Sequence, residues 1–98
     1  MNKKDYSDKV GARAIYKGRV QGVGFRFTAQ RYANETGVTG YVKNLWGGQV
    51  EIVAEGEKKK VKTFLERIKN GPLSRYIDDV ETHYSGYTGA FRDFHIRF

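Results

Sequence analysis

Apolar and polar positions follow two different periods along this chain, and the switches between them mark its elements. Ala12, Ala14 and Tyr16 alternate with Arg13 and Lys17, the period of two expected of a half-buried strand, with Ile15 breaking the alternation. Phe25, Ala29, Tyr32 and Ala33 then recur at offsets of four, seven and eight, which is one stripe of a helix. Gly37 suits the left-handed position that ends such a helix. Residues 39–45 read as a strand, Gly47-Gly48 supplies a hairpin turn, and Val50, Ile52 and Ala54 alternate with Glu51 and Glu55 in the partner. A second helix is predicted where Val61, Phe64, Leu65 and Ile68 fall at offsets of three, four and seven, with Gly71-Pro72 as its stop. Val80, Thr82 and Tyr84 predict another strand. Phe94, Ile96 and Phe98, alternating with Asp93, His95 and Arg97, predict a last one, connected to it through residues 85–90.

Strand, helix, strand, strand, helix, strand, with a final hairpin partner, is the order of the split-βαβ arrangement. The expected fold class is therefore α+β: a ferredoxin-like sandwich, an antiparallel sheet with two helices on one face. At 98 residues the chain can bury one modest core. With no linker, repeat or low-complexity tract, residues 1–98 are expected to form a single domain, the first ten being a flexible lead-in.

Composition narrows the chemistry. Hydrophobic residues at 39% and charged residues at 30% suit a soluble globular protein, and no apolar run approaches membrane-spanning length. Residues 1–8 carry charge with no apolar stretch behind them, so no secretory signal is expected and a cytoplasmic location follows. The absence of cysteine removes disulfides, thiolate nucleophiles and thiolate metal sites. Lys and Arg outnumber Asp and Glu by 18 to 11, a formal charge of +7 that favours anionic partners without selecting one. The dense run Lys58-Lys59-Lys60 with Lys62 lies early in the second helix and reads as a solvated face.

The chemistry concentrates in Gly18-Arg19-Val20-Gln21-Gly22-Val23-Gly24-Phe25-Arg26, which joins a strand directly to a helix. Glycines let successive N–H groups turn inward, and the helix start adds unsatisfied amides and a positive dipole end. A phosphate fits such a cradle, and the Arg26 guanidinium can fork against two of its oxygens. By spacing alone a tight connection is an equally good account. The segment is neither a Walker loop, since no Gly-Lys-Ser/Thr follows, nor a dinucleotide fingerprint, so nucleotide binding is disfavoured.

That nine-residue stretch closely resembles the first signature of acylphosphatases. Gly40-Tyr41-Val42-Lys43-Asn44, followed by Gly48-Gln49-Val50 and closed by Gly56, resembles the second at the expected distance. The resemblance spans residues 18–56 and implies an enzyme that hydrolyses the carboxyl-phosphate bond of acyl phosphates, releasing a carboxylate and inorganic phosphate. It implies that backbone amides across Gln21, Gly22, Val23, Gly24 and Phe25 hold the phosphate, that Arg26 completes the site, and that Asn44 positions the attacking water. No metal and no cofactor are implied; the partners expected are a small-molecule acyl phosphate and the phosphate product, with no nucleic acid, no membrane and a monomeric chain. Trp46 and Gly47 fill a turn where the family varies, which leaves substrate preference open.

The remaining candidates read as structure. His83 and His95 stand twelve apart, without ligand spacing, and are expected on strand surfaces. Asp78 and Asp79 are adjacent on a strand and point to opposite faces, so they do not make a carboxylate pair. Trp46 is expected as a packing lid in preference to a site mouth. Gly22-Val23-Gly24-Phe25-Arg26-Phe27 brushes an RNP-like pattern, but it opens a helix where RNA recognition needs a central strand. A second rival keeps the anion cradle as a regulatory or carrier site, or makes the chain a relative of the acylphosphatase-like domain of hydrogenase-maturation carbamoyltransferases.

Overall fold

The computed structural model describes residues 8–98. Its elements are β1 (Lys9–Gly18), α1 (Phe25–Thr36), β2 (Thr39–Asn44), β3 (Val50–Glu57), α2 (Lys58–Asn70), β4 (Ile77–Gly86) and β5 (Phe94–Arg97), with a short 3-10 helix, Pro72–Tyr76, between α2 and β4. The strands form one sheet in the order β4-β1-β3-β2-β5, and both helices lie on one face of it. The ferredoxin-like expectation holds. Among the described residues no helix is long and apolar enough to cross a membrane.

The helix stripes read from the sequence are the ones that are buried. Phe25, Ala29, Tyr32 and Ala33 line the inner side of α1, and Val61, Phe64 and Ile68 that of α2. They close on Ala12, Ala14 and Tyr16 of β1 and Val50, Ile52 and Ala54 of β3, so that the core lies between the helices and the central strands. Gly37 ends α1 at φ 85°, its N–H donating to the Ala33 carbonyl over 2.8 Å. Lys58, Lys59, Lys60 and Lys62 are exposed, as expected of a solvated face.

Four details differ from the expectation. Lys9 and Val10 belong to β1, where they pair with Glu57 and Gly56, so the strand claims the end of the supposed ten-residue lead-in. The part of that lead-in in residues 1–7 lies outside the described residues. Ile15 is not a break in the pattern: it points to the face away from the helices, between Glu51 of β3 and Glu81 of β4 in register, and is buried there. Phe98 lies beyond β5 and is 93% exposed, where the alternation had put it level with Phe94.

The fourth correction concerns β5 itself, which is not a hairpin partner of β4. It runs at the opposite edge, parallel to β2 with Gly40 opposite Phe94, so the sheet is mixed, with one parallel pair among antiparallel ones. The reason is where burial is available. At the β2 edge Phe94 reaches the core and meets Phe64 edge-on at 5.5 Å, whereas the flank beyond β4 lies away from α1. The segment 87–93 crosses beneath the sheet, and the buried Glu55 carboxylate holds it by accepting from Thr88 N (3.1 Å), Thr88 Oγ1 (2.7 Å) and Gly89 N (3.0 Å). Replacing Glu55 with alanine orphans these donors and should lower stability by about 1–3 kcal/mol. Chemical denaturation reads this as a lower midpoint at unchanged slope; an unmoved midpoint would show that the crossing does not depend on the carboxylate.

Candidate active site

The loop between β1 and α1 is built by backbone demands. Val20 is sunk in the core, and Arg19 N donates to the Tyr76 carbonyl over 2.9 Å, which fixes the exit from β1. Gly22 and Gly24 follow at φ 78° and 77°, a left-handed conformation that side-chain-bearing residues rarely adopt, although a Cβ at either would meet open space. It is conformation, not crowding, that requires glycine there. Gly24 is the N-cap of α1 with no side-chain cap and no acidic residue in the first turn, so the first-turn amides of the helix are uncapped by any side chain. Two left-handed glycines ahead of an uncapped helix start are the local conditions under which backbone N–H groups can face an anion. Phe25 fixes the register of that first turn by burying its ring against Tyr16, centroids 5.1 Å apart.

Arg26, next along the helix, is half-exposed and has no carboxylate partner among the described residues. Its guanidinium carbon lies 5.0 Å over the ring of Phe98. A cation left without a carboxylate counter-charge is available to an anion.

Asn44 ends β2 on the same face of the sheet as Val42, toward the helices. Its Oδ1 is buried, and it is the one buried side-chain polar atom among the described residues without a hydrogen-bond partner. Such an orphan costs about 1–3 kcal/mol, a cost that a bound water or ligand relieves. A cleft of about 470 Å³ opens beside it, lined by Gln21, Lys43, Asn44, the 45–48 turn and Phe98.

Gln21 ties the two halves of the site together. Its Nε2 donates to the carbonyls of Leu45 and Gln49, both over 2.8 Å, at the base of the hairpin that Leu45 N closes on Gln49 O over 2.8 Å. The side chain is thus a strut, and its contribution to an anion is confined to its backbone amide. The structure brings Gln21, Asn44 and Phe98 into one cleft and joins Arg26 to it through the Phe98 ring; Gly22, Val23, Gly24 and Phe25 are not among the residues that line it. The strut and Phe98 were missed by sequence reasoning. A Gln preceding two turn glycines is a weak signal for the first, and the final alternation concealed the second.

Trp46 is not a packing lid. The hairpin tip carries it past the helices on Gly47 and Gly48, at φ 89° and 91°, and it is 100% exposed on the cleft rim. His83 and His95 stand on the open face of the sheet, His83 beside Glu81 and His95 beside Asp93, away from the cleft. Among the described residues no three His, Asp or Glu side chains cluster as a metal site would need. Tyr41, whose ionisation is displaced, is also on that face: burial first, and then the Glu51 carboxylate that accepts its hydroxyl at 3.1 Å, hold the phenol above its ordinary range.

The family model described as Acylphosphatase matches residues 12–96. The chain is 43% identical over 83 residues to a protein named acylphosphatase from Deinococcus radiodurans, covering 85% of this chain and 94% of that one. It is 45% identical over 83 residues to another from Thermus thermophilus, covering 85% and 93%. The crystal structure of acylphosphatase from Bacillus subtilis superposes with a TM-score of 0.83 at 38% identity, covering 91% of this chain and 99% of that one.

Proposed function

The chain belongs to the acylphosphatase family and is a hydrolase of acyl phosphates, and from that premise we propose how its own residues carry the reaction. The phosphoryl group sits on the backbone amides of residues 21–25. Arg26 forks against its oxygens. Asn44 holds the attacking water, its Oδ1 accepting a water hydrogen. The observation that carries this reading is that buried, unpartnered Oδ1 on a residue that lines the cleft, which Gln21 links to the loop after β1.

The step is in-line attack of the water oxygen on phosphorus, with the bond between phosphorus and the carboxyl oxygen breaking. One water and one acyl phosphate give a carboxylate and inorganic phosphate. The leaving carboxylate has a conjugate acid of pKa about 4, so it departs without a general acid. Amides and guanidinium supply the charge stabilisation that phosphoryl transfer chiefly needs. The water's proton passes to a phosphate oxygen of the substrate itself.

Both histidines lie outside the cleft and no Asp or Glu side chain lines it, so turnover of acetyl phosphate should be level with pH through neutrality and indifferent to a chelator. A steady-state pH profile measured with the chelator present checks both. A clear ionisation near neutrality would overturn the substrate-as-base step, and loss of turnover to the chelator would overturn the metal-free reading.

The enzyme reading is favoured over an RNA-binding one by the open face of the sheet. Tyr41, where a base would stack, lies under the Arg97 guanidinium at 3.9 Å and is bonded to Glu51, itself paired with Arg13 at 2.6 Å. We read the chain as one domain acting as a cytoplasmic monomer without nucleic-acid or membrane partners. The short edge strand β5, with His95 and Arg97 on its outer face, suits a sheet edge kept from pairing.

A further inference from the structure

Resting on that reading of the site, we infer that the acyl group is held by Trp46 and Phe98, and that the enzyme favours aromatic acyl phosphates over short aliphatic ones. Two of the largest apolar side chains in the protein are left in water, Trp46 at 100% and Phe98 at 93% exposure, and both line the cleft that contains Asn44. Exposed aromatic surface gathered at one concavity marks a ligand contact, since each ring forgoes the burial that aromatic side chains ordinarily find.

Neither ring is placed at random. The turn bearing Trp46 is pinned to the loop after β1 by the two Gln21 hydrogen bonds to its backbone, so the base from which the indole projects is fixed. Phe98 is held against the Arg26 guanidinium, the group that takes the phosphate. A substrate whose phosphoryl group is anchored at Arg26 and Gln21 has these two π faces within the adjoining cleft for its acyl group. The cleft, at about 470 Å³, exceeds what a phosphate alone occupies and lies in the range of roughly 300–1,000 Å³ that houses ring-bearing ligands. Acetyl phosphate leaves both faces wet; benzoyl phosphate covers them with a ring.

The test compares kcat/KM for benzoyl and acetyl phosphate in the parent, Trp46→Ala and Trp46→Phe. The benzoyl-to-acetyl ratio should fall about ten-fold in Trp46→Ala, the scale of one aromatic contact, and recover substantially in Trp46→Phe. Because Trp46 is the only tryptophan, fluorescence gives a second readout independent of turnover. Phenylphosphonate should shift its emission to the blue and inorganic phosphate should not, with excess phosphate reversing the shift. An unchanged ratio in Trp46→Ala, or an emission that phenylphosphonate moves no more than phosphate does, overturns the inference while leaving the catalytic assignment standing. A parent protein that hydrolysed neither substrate would overturn the catalytic assignment, and this inference with it.

Discussion

Arg26→Ala should lower kcat/KM for acetyl phosphate by about a thousandfold while leaving the folded protein as stable as before. The magnitude follows from the kind of group removed. One preorganised donor to a developing oxyanion is worth about a hundred- to a thousandfold, and a guanidinium on a transferring phosphoryl group more. The neutrality toward folding follows from what Arg26 touches, which among the described residues is the ring of Phe98 and no carboxylate, so its loss orphans no partner. Arg26→Lys should restore only part of the activity, because an ammonium supplies charge without the planar fork. Inorganic phosphate should also inhibit the alanine variant more weakly, since the cation attracts the anion before any bond is broken. Steady-state kinetics with a thermal midpoint on the same samples decides it. Activity within ten-fold of the parent would remove Arg26 from the site.

The parts of the site that local sequence reveals are those that backbone conformation dictates. Gly22 and Gly24 are needed for φ, at positions two apart before a helix whose stripe begins at Phe25, and such spacing survives in one dimension. The same holds for both helix faces and for the β2–β3 hairpin, whose strand periods meet at Gly47-Gly48. What the sequence conceals depends on pairs far apart in the chain. Gln21 reads as one more polar loop residue until its amide is seen on the carbonyls of Leu45 and Gln49. The destination of β5 shows only in contacts far apart in the chain, Phe94 on Phe64 and Glu55 accepting from Thr88 and Gly89, and alternation within 94–98 is the same at either sheet edge. Trp46 and Phe98 misled for a related reason: an apolar residue is expected inside, and only the surface it stands on shows that it is outside. Asn44 is the intermediate case. Its position was singled out by resemblance to a known signature, whereas its orphaned oxygen could be found only with the neighbouring atoms in place.

That orphan separates a positioning role for Asn44 from a structural one, because the two roles predict opposite effects on stability. A buried acceptor with no partner burdens the fold, so Asn44→Ala should leave the denaturation midpoint unchanged or raise it, while kcat for acetyl phosphate falls about a hundredfold. The activity loss should reside in kcat, with KM and phosphate inhibition near the parent values, since the amide is assigned to the water and not to the phosphoryl group. Arg26→Ala, by contrast, should weaken both. If Asn44→Ala instead lost stability along with activity, its side chain would be holding β2 to the hairpin, and the water would have to be placed by another group. Combining the two replacements adds a further check. If the cradle and the water act as one unit on the same transition state, the double variant should be far less impaired than the product of the single losses; a fully multiplicative loss would mean that each acts independently.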